Sequence, residues 1–568
     1  MGPFKPHDID SVSSTLPEAE IYKIAVVELR DRIRAVFLSH STATLIRLAL
    51  VALFVGLGAS SLLGSQSADA SVADESSAAT ALPGSIAWRS CGDQLDCARV
   101  PVPLDWDNPN GPQISLLVIR HRASKPNQRI GSVFLNFGGP GVPGVPAVRL
   151  GGKGLDLLYG GRFDVVSWDP RGTGESTHVT CFKDVHALEQ FWGQDWTIPY
   201  TVAESWMYVP KTIEYAQRCA AMSGSLLEHI STTDTVRDLD YLRQLVGDAQ
   251  LTYRGFSYGT FLGQTYINMF PTHVRAVVLD ANIDPVAFTT SVEESIYTSS
   301  SDTNLVFEKF LDLCERAGPA RCALAGQGGA AQRVQALLAR LRQGPIQAQG
   351  APAPKVLRYG DAQVQIWSTL GQPAKWPELA DQLNQAANGD GTAMAIPVRE
   401  GRVSLLGVFV SATALQCADK PQPPPGLVLT WPTVMQHLTS SDFVGLFDGW
   451  GLWAPCASWQ SPSANRYTGP WNATTTNPIL VIGNRYDPRT RYANSVLAAR
   501  TLGNAVLLTL EGYGHTSDAD PSVCIDTAVK NYLITPTAPL AGNTCQPDHA
   551  PFDPNFEKVA SSEEQLFE

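Results

Sequence analysis

The feature that most constrains this chain is the segment Gly255-Phe256-Ser257-Tyr258-Gly259, which lies between an apolar run, Leu251 to Arg254, and a helical pattern beginning near Thr260. A strand that passes through G-x-S-x-G into a helix makes a turn so tight that its flanking positions must be small. The serine hydroxyl is then held up at the carboxyl end of a sheet. On its own the motif also arises as a plain glycine-rich turn, so its context has to carry the assignment.

That context is present. From Trp88 onward, strand-like runs alternate with helical patterns, as in a mainly parallel sheet covered by helices. Strands are expected at Ile114 to Arg120, Ser132 to Asn136, Phe163 to Trp168, Leu251 to Arg254, Ala276 to Asp280, Ile479 to Ile482 and Ala505 to Leu510. The spacing of Val236, Leu239, Leu242, Leu245 and Val246 predicts a helix over Thr233 to Val246, with Gly247 placed to stop it. Between about Pro285 and Pro478 the texture changes to helical stretches, Pro/Gly clusters and many tryptophans, which reads as an insertion.

A serine hydroxyl is a weak nucleophile until a base removes its proton, so a histidine oriented by a carboxylate should follow in the order Ser, Asp, His. Asp487 directly follows the Ile479 to Ile482 strand, and His515 follows the Ala505 to Leu510 strand in a loop bearing Gly512 and Gly514. Of the histidines after Ser257, His515 alone occupies such a place. Acyl transfer also needs backbone donors aimed at a developing oxyanion. The amide of Tyr258 is one candidate; Gly139, within Gly138-Gly139-Pro140-Gly141 after the Ser132 to Asn136 strand, offers the second. A glycine cluster after a strand is otherwise an ordinary turn.

These residues resemble the proline iminopeptidase and tripeptidyl aminopeptidase branch of the α/β-hydrolases, from about Trp88 to Cys545. The resemblance is carried by Gly138 to Gly141, by Asp169-Pro170-Arg171-Gly172-Thr173-Gly174-Glu175-Ser176, by Gly255 to Thr260, by Asn282-Ile283-Asp284-Pro285, and by the Asp487 and His515 loops. It implies an α/β-hydrolase core with an inserted, largely helical cap governing access. It also implies an exported serine exopeptidase that releases short peptides or residues from free N-termini, although some such proteins look more like esterases. Proline iminopeptidases usually carry His before the glycine loop. Asn136 and Phe137 stand here instead, which favours the tripeptidyl aminopeptidase side. Arg171 in such proteins looks structural, a brace for the loops beside the glycine turn.

An aminopeptidase must also recognise a substrate ammonium, normally with carboxylates. Glu293, Glu294 and Asp419 are candidates, each with an ordinary alternative as solvated surface. Trp367, Trp376 and Trp459 could line a pocket or simply pack a core. Three functions follow: a peptidase, a carboxylesterase or amidase acting on a small-molecule ester or amide, and a non-catalytic binder that kept the fold. The last predicts damage to the triad, and none is visible.

The expected organisation is a polar and basic segment over 1–47, a signal-peptide core or anchor over 48–63, and a flexible linker over 64–87. The hydrolase core would then occupy 88–285 and 478–568, with the cap at 286–477. Arg30, Arg32, Arg34 and Arg47 precede the apolar run, and Asp69, Asp74 and Glu75 follow it, which predicts export of the rest of the chain. The run is short for a spanning helix of about 20 residues. Its densest part suits a signal core of roughly 7 to 15 residues, with Ala68-Asp69-Ala70 as a cleavage site, but the preceding segment is far longer than usual. Secretion and membrane anchoring both stay open. Ten cysteines, all beyond this run, suit an oxidising compartment, and pairing of neighbours along the chain is expected because Cys91 with Cys97 and Cys314 with Cys322 close small loops. Their spacing is not that of a metal site, and no cofactor is expected. The net charge of −12, without a Lys/Arg-rich run in the mature part, argues against a nucleic-acid partner.

Overall fold

The computed structural model describes residues 84–556, apart from 194–198, 292–293, 297, 299–301, 327, 422, 425, 439–449, 451–453, 462 and 464. The expected segments over 1–83 therefore lie outside the described residues. The strands are β1 (Arg89–Gly92), β2 (Leu95–Pro103), β3 (Gln113–His121), β4 (Gly131–Asn136), β5 (Phe163–Trp168), β6 (Leu251–Phe256), β7 (Val274–Asp280), β8 (Ile346–Gln347), β9 (Val356–Leu357), β10 (Ile479–Tyr486), β11 (Ala505–Tyr513) and β12 (Thr544–Cys545).

Ten of them form one sheet in the order β1-β2-β3-β5-β4-β6-β7-β10-β11-β12, while β8 and β9 pair by themselves. From β5 to β12 all neighbours run parallel; β1, β2 and β3 add an antiparallel edge. The parallel centre explains its sequence. With helices on both faces there is no wet side, so β4, β5 and β6 are buried at every position and do not alternate between apolar and exposed polar residues.

The principal helices are α1 (Gly144–Leu158), α2 (Val202–Ser223), α3 (Thr232–Leu245), α4 (Tyr258–Met269), α5 (Thr303–Ala317), α6 (Ala330–Gln343), α7 (Tyr359–Leu370), α8 (Trp376–Ala387), α9 (Arg402–Ala418), α10 (Tyr492–Thr501) and α11 (Val523–Ile534). Helix α3 begins one residue before its expected start, where the Ser231 hydroxyl caps the Asp234 amide, and Gly247 follows it at φ +83°.

The described residues between β7 and β10 give the main sheet no strand. Helices α5 to α8 enclose an apolar core of their own, built on Val306, Phe310, Leu337, Trp376 and Leu383. Helix α9 instead shares the core of the sheet. A second excursion, between β5 and α3, joins it there. Helix α2 packs against Leu427–Leu438 and Ala454–Ser458, and Tyr208 donates to the Trp450 carbonyl at 3.2 Å.

All five disulfides join cysteines consecutive along the chain: Cys91 to Cys97, Cys181 to Cys219, Cys314 to Cys322, Cys417 to Cys456, and Cys524 to Cys545. Such a set fits an extracytoplasmic, oxidising environment.

Candidate active site

Ser257 sits between β6 and α4 at φ 54° and ψ −120°, a left-handed backbone that a β-carbon disfavours. The surroundings hold it there. Its amide donates to the Asp280 carbonyl at 2.9 Å, and its own carbonyl accepts the Thr260 amide at 2.8 Å. Both motif glycines are sterically required: a Cβ on Gly255 would overlap the Gly259 carbonyl, and one on Gly259 would lie 2.6 Å from the Asn136 carbonyl oxygen.

Asp487 directly follows β10 and His515 follows β11, both at the carboxyl edge that also carries Ser257. His515 Nδ1 is 3.0 Å from each oxygen of Asp487. Asp487 also accepts the Arg489 amide at 2.8 Å, the Thr490 amide at 2.9 Å and the Thr490 hydroxyl at 2.9 Å. Complete burial pushes its carboxyl pKa up, but the His515 imidazole and these donors more than offset that and hold it below the usual value. The carboxylate is thus kept ionised beside the ring nitrogen that faces it.

The histidine's loop is fixed from two sides. Asn484 Nδ2 donates to the carbonyls of Tyr513, Gly514 and Thr516 at 3.2, 3.1 and 2.7 Å. The His515 amide donates to the Gly371 carbonyl, at the end of α7, at 3.0 Å. Gly514, at φ +84°, has no room for a Cβ because Pro373 and Gly371 press on it.

The glycine loop stands against the elbow. A Cβ on Gly138 would lie 3.0 Å from Ser257 Cβ and 3.3 Å from the Tyr258 nitrogen. The Gly138 amide is already used, donating to Asn136 Oδ1 at 3.0 Å. Gly139 follows it in the loop at φ +102°. On its far side the loop meets α9, where Gly141 approaches Ser411 and Ala412 too closely for a side chain.

Of the candidate ammonium carboxylates, Asp419 is not a solvent-facing group. Asp419 is fully buried and accepts the Thr232 amide at 3.0 Å and the Thr232 hydroxyl at 2.7 Å, and that hydroxyl also meets Tyr258 Oη. With both oxygens occupied, Asp419 caps α3 and ties it to α9. Burial raises its pKa to about 7. Glu294 is exposed, and Glu293 lies outside the described residues. Arg171 braces as expected: its buried guanidinium binds Asp238 at 2.6 and 2.7 Å and the carbonyls of Pro103, Leu104 and His229. Trp376 and Trp459 are buried core residues, and Trp367 lies 4.1 Å beneath the Arg489 guanidinium.

Sequence reading gave no role to Asp280, Asn484 and Ser517. A visible signal existed for Asp280 and Asn484, polar residues inside or closing strands that are otherwise apolar; such residues are retained only where they have partners.

Comparison with known proteins agrees with this architecture. A family model for the alpha/beta hydrolase fold matches residues 133–304, and one described as TAP-like protein matches 443–545. Carboxylesterase B of Mycobacterium tuberculosis is 30% identical over 483 residues, covering 81% of this chain and 90% of that one. Serine protease Hip1 of the same species is 29% identical, over 79% of this chain and 87% of the relative. Tripeptidyl aminopeptidase of Streptomyces lividans is 27% identical, over 84% and 89% respectively. The class set by the fold is thus the α/β-hydrolases, enzymes of hydrolytic chemistry. Within that class this chain belongs to the TAP-like family of serine hydrolases.

Proposed function

We propose that this protein is an exported serine aminopeptidase that releases short peptides or residues from free N-termini, with Ser257, His515 and Asp487 as its triad. The observation that carries the reading is the ionised Asp487 held 3.0 Å from His515 Nδ1 on the sheet edge that also presents the strained Ser257. With Nδ1 engaged, the imidazole's Nε2 is the atom left to accept a proton. Ser257 Oγ attacks the scissile carbonyl as His515 takes its proton, and the tetrahedral oxyanion is met by the N–H groups of Tyr258 and Gly139. Collapse expels the leaving amine, which receives the proton from His515. Water, deprotonated by the same ring, then cleaves the acyl-enzyme and restores Ser257.

The peptidase reading draws support from relatives named as a serine protease and a tripeptidyl aminopeptidase. The second reading, a carboxylesterase or amidase acting on a small molecule, has two observations behind it. One relative is named carboxylesterase B. The other is that Asp419 is spent inside the fold, so the cap offers no substrate carboxylate at that position. Hydrolysis of a tripeptide anilide with a free N-terminus, of its N-acetylated form and of a short-chain ester separates the two. Cleavage of the free-amine peptide alone, lost in Ser257→Ala, is the expected result. Turnover of the ester with both peptides untouched would transfer the assignment to the esterase.

The N-terminal segment either anchors the protein to a membrane or is removed on secretion. In both cases the catalytic part faces the extracytoplasmic side, a placement that the disulfides favour.

A further inference from the structure

The sheet order sets a distance problem for the proposed triad. Three strand spacings separate β6 from β11 in the order β6-β7-β10-β11, about 14 Å at roughly 4.8 Å each. An imidazole cannot cover that by itself. The loop carrying His515 must lean back over the ends of β10 and β7, and something at the end of β7 has to receive it.

The residue at the end of β7 is Asp280, fully buried. Its backbone carbonyl accepts the Ser257 amide at 2.9 Å. Its side chain accepts the Ser517 amide at 3.0 Å on Oδ1, and the Ser517 hydroxyl at 2.5 Å together with Arg254 Nη2 at 3.2 Å on Oδ2. Ser517 stands two residues beyond His515, and Arg254 three before Ser257. The Arg254 guanidinium also reaches Asp518 Oδ1 at 2.5 Å and lies 4.5 Å over the Phe256 ring. Every partner of the Asp280 side chain is a donor. That pattern suits a carboxylate and no neutral substitute of the same shape, because an amide would turn N–H groups toward a pure donor in either orientation, Arg254 Nη2 in one and the Ser517 amide in the other.

We infer that Asp280 is a positioning residue of the hydrolytic reaction: its carbonyl fixes the nucleophile's backbone while its carboxylate, through Ser517, fixes the histidine's loop, setting the Ser257 to His515 approach from one rigid point. The inference rests on the proposed triad. A purely structural ion pair would hold the sheet together without regard to that approach. A positioning role instead makes the loss appear in the chemical step, where a misplacement of about 1 Å costs on the order of 10²-fold.

The test uses the full chain with Asp280→Asn and Ser517→Ala, measuring kcat and KM on a hydrolysed reporter, the rate of phosphonylation by a fluorophosphonate, and the number of sites that probe titrates at completion. Asp280→Asn is expected to lower kcat about 100-fold. Ser517→Ala, which keeps the amide bond to Oδ1, is expected to lower it about 10-fold. In both, KM stays within threefold, the phosphonylation rate falls in parallel with kcat, and the titrated sites remain near one per chain. A kcat per titrated site equal to that of the unaltered enzyme, with only the number of sites reduced, would overturn the inference in favour of a structural ion pair. So would a loss confined to KM. Should Asp280→Asn fail to fold, Ser517→Ala decides by itself. Failure of the unaltered protein to be phosphonylated at all would instead bring down the triad reading, and the positioning role with it.

Discussion

Ser257 is tied to the fold through its backbone amide and carbonyl, so removing its hydroxyl should separate chemistry from folding. Ser257→Ala is expected to lower turnover by a factor on the order of 10⁶, while the melting temperature stays within about 2 °C, as calorimetry beside steady-state rates would show. Asp487→Asn keeps the shape but loses the charge that supports an imidazolium, and should cost about 10⁴-fold in kcat; a near-normal rate would point to another acid. Asp419 makes a prediction of the opposite kind. Its pKa is raised to about 7 by burial, so between about pH 4 and 7 the unfolded chain releases this proton while the native state keeps it. Stability contributed by this group therefore falls as pH rises through that window. Asp419→Asn removes the dependence, and its melting temperature minus that of the unaltered protein should become more positive from pH 4 to 7 and then level off. A difference that does not change with pH would show that Asp419 ionises normally. The strand ends that carry the residues proposed for the triad were legible in the sequence, because β6, β10 and β11 each begin with an apolar run that is easy to see. The partner of Asp419 was not, because Thr232 is 187 positions away and only the packing of α9 on α3 brings them together.

At the scale of elements, the central strands were legible for the same reason that they are buried: a parallel strand covered on both faces favours a largely apolar run. Phe163–Trp168 falls where expected, and β6, β10 and β11 run on past their expected ends through Phe256, Tyr486 and Tyr513, into the turns that bear the site. The strand β2 escaped notice because Arg99, Pro101 and Pro103 interrupt its pattern, which an antiparallel strand near the sheet edge tolerates. Nor did the sequence reveal that α2 packs with the helices beyond residue 400, since pairing of distant amphipathic faces leaves no local mark. The elbow itself is an element with a strict steric demand. Gly259→Ala would drive a methyl to 2.6 Å from the Asn136 carbonyl, so a loss of about 1 to 3 kcal/mol is expected in denaturant titration, with the Gly138 loop displaced and turnover reduced alongside. Unchanged stability would mean that β4 and β6 can separate without cost.

Across the whole molecule, disulfides restrain the segments that rise beyond the sheet. Cys417 to Cys456 spans 39 residues of the insertion, and Cys181 to Cys219 spans 38 of the excursion before α3. Chain-entropy reasoning assigns a closed loop of that length about 4 kcal/mol. Replacing Cys417 and Cys456 together by alanine should lower the unfolding free energy by roughly that amount, and reductant should then destabilise the variant less than it destabilises the unaltered protein. Equal sensitivity would place the effect in the other bridges. The same molecule-wide arrangement converges on one claim, that a hydroxyl at the end of β6 is activated by a histidine from β11 and a carboxylate from β10. The most direct measurement is peptide mapping of the intact protein after reaction with a fluorophosphonate. The account predicts a single adduct on Ser257 that forms in the unaltered protein and is lost, or slowed by orders of magnitude, in His515→Ala. An adduct on another residue, or labelling of Ser257 at the same rate without His515, would contradict it.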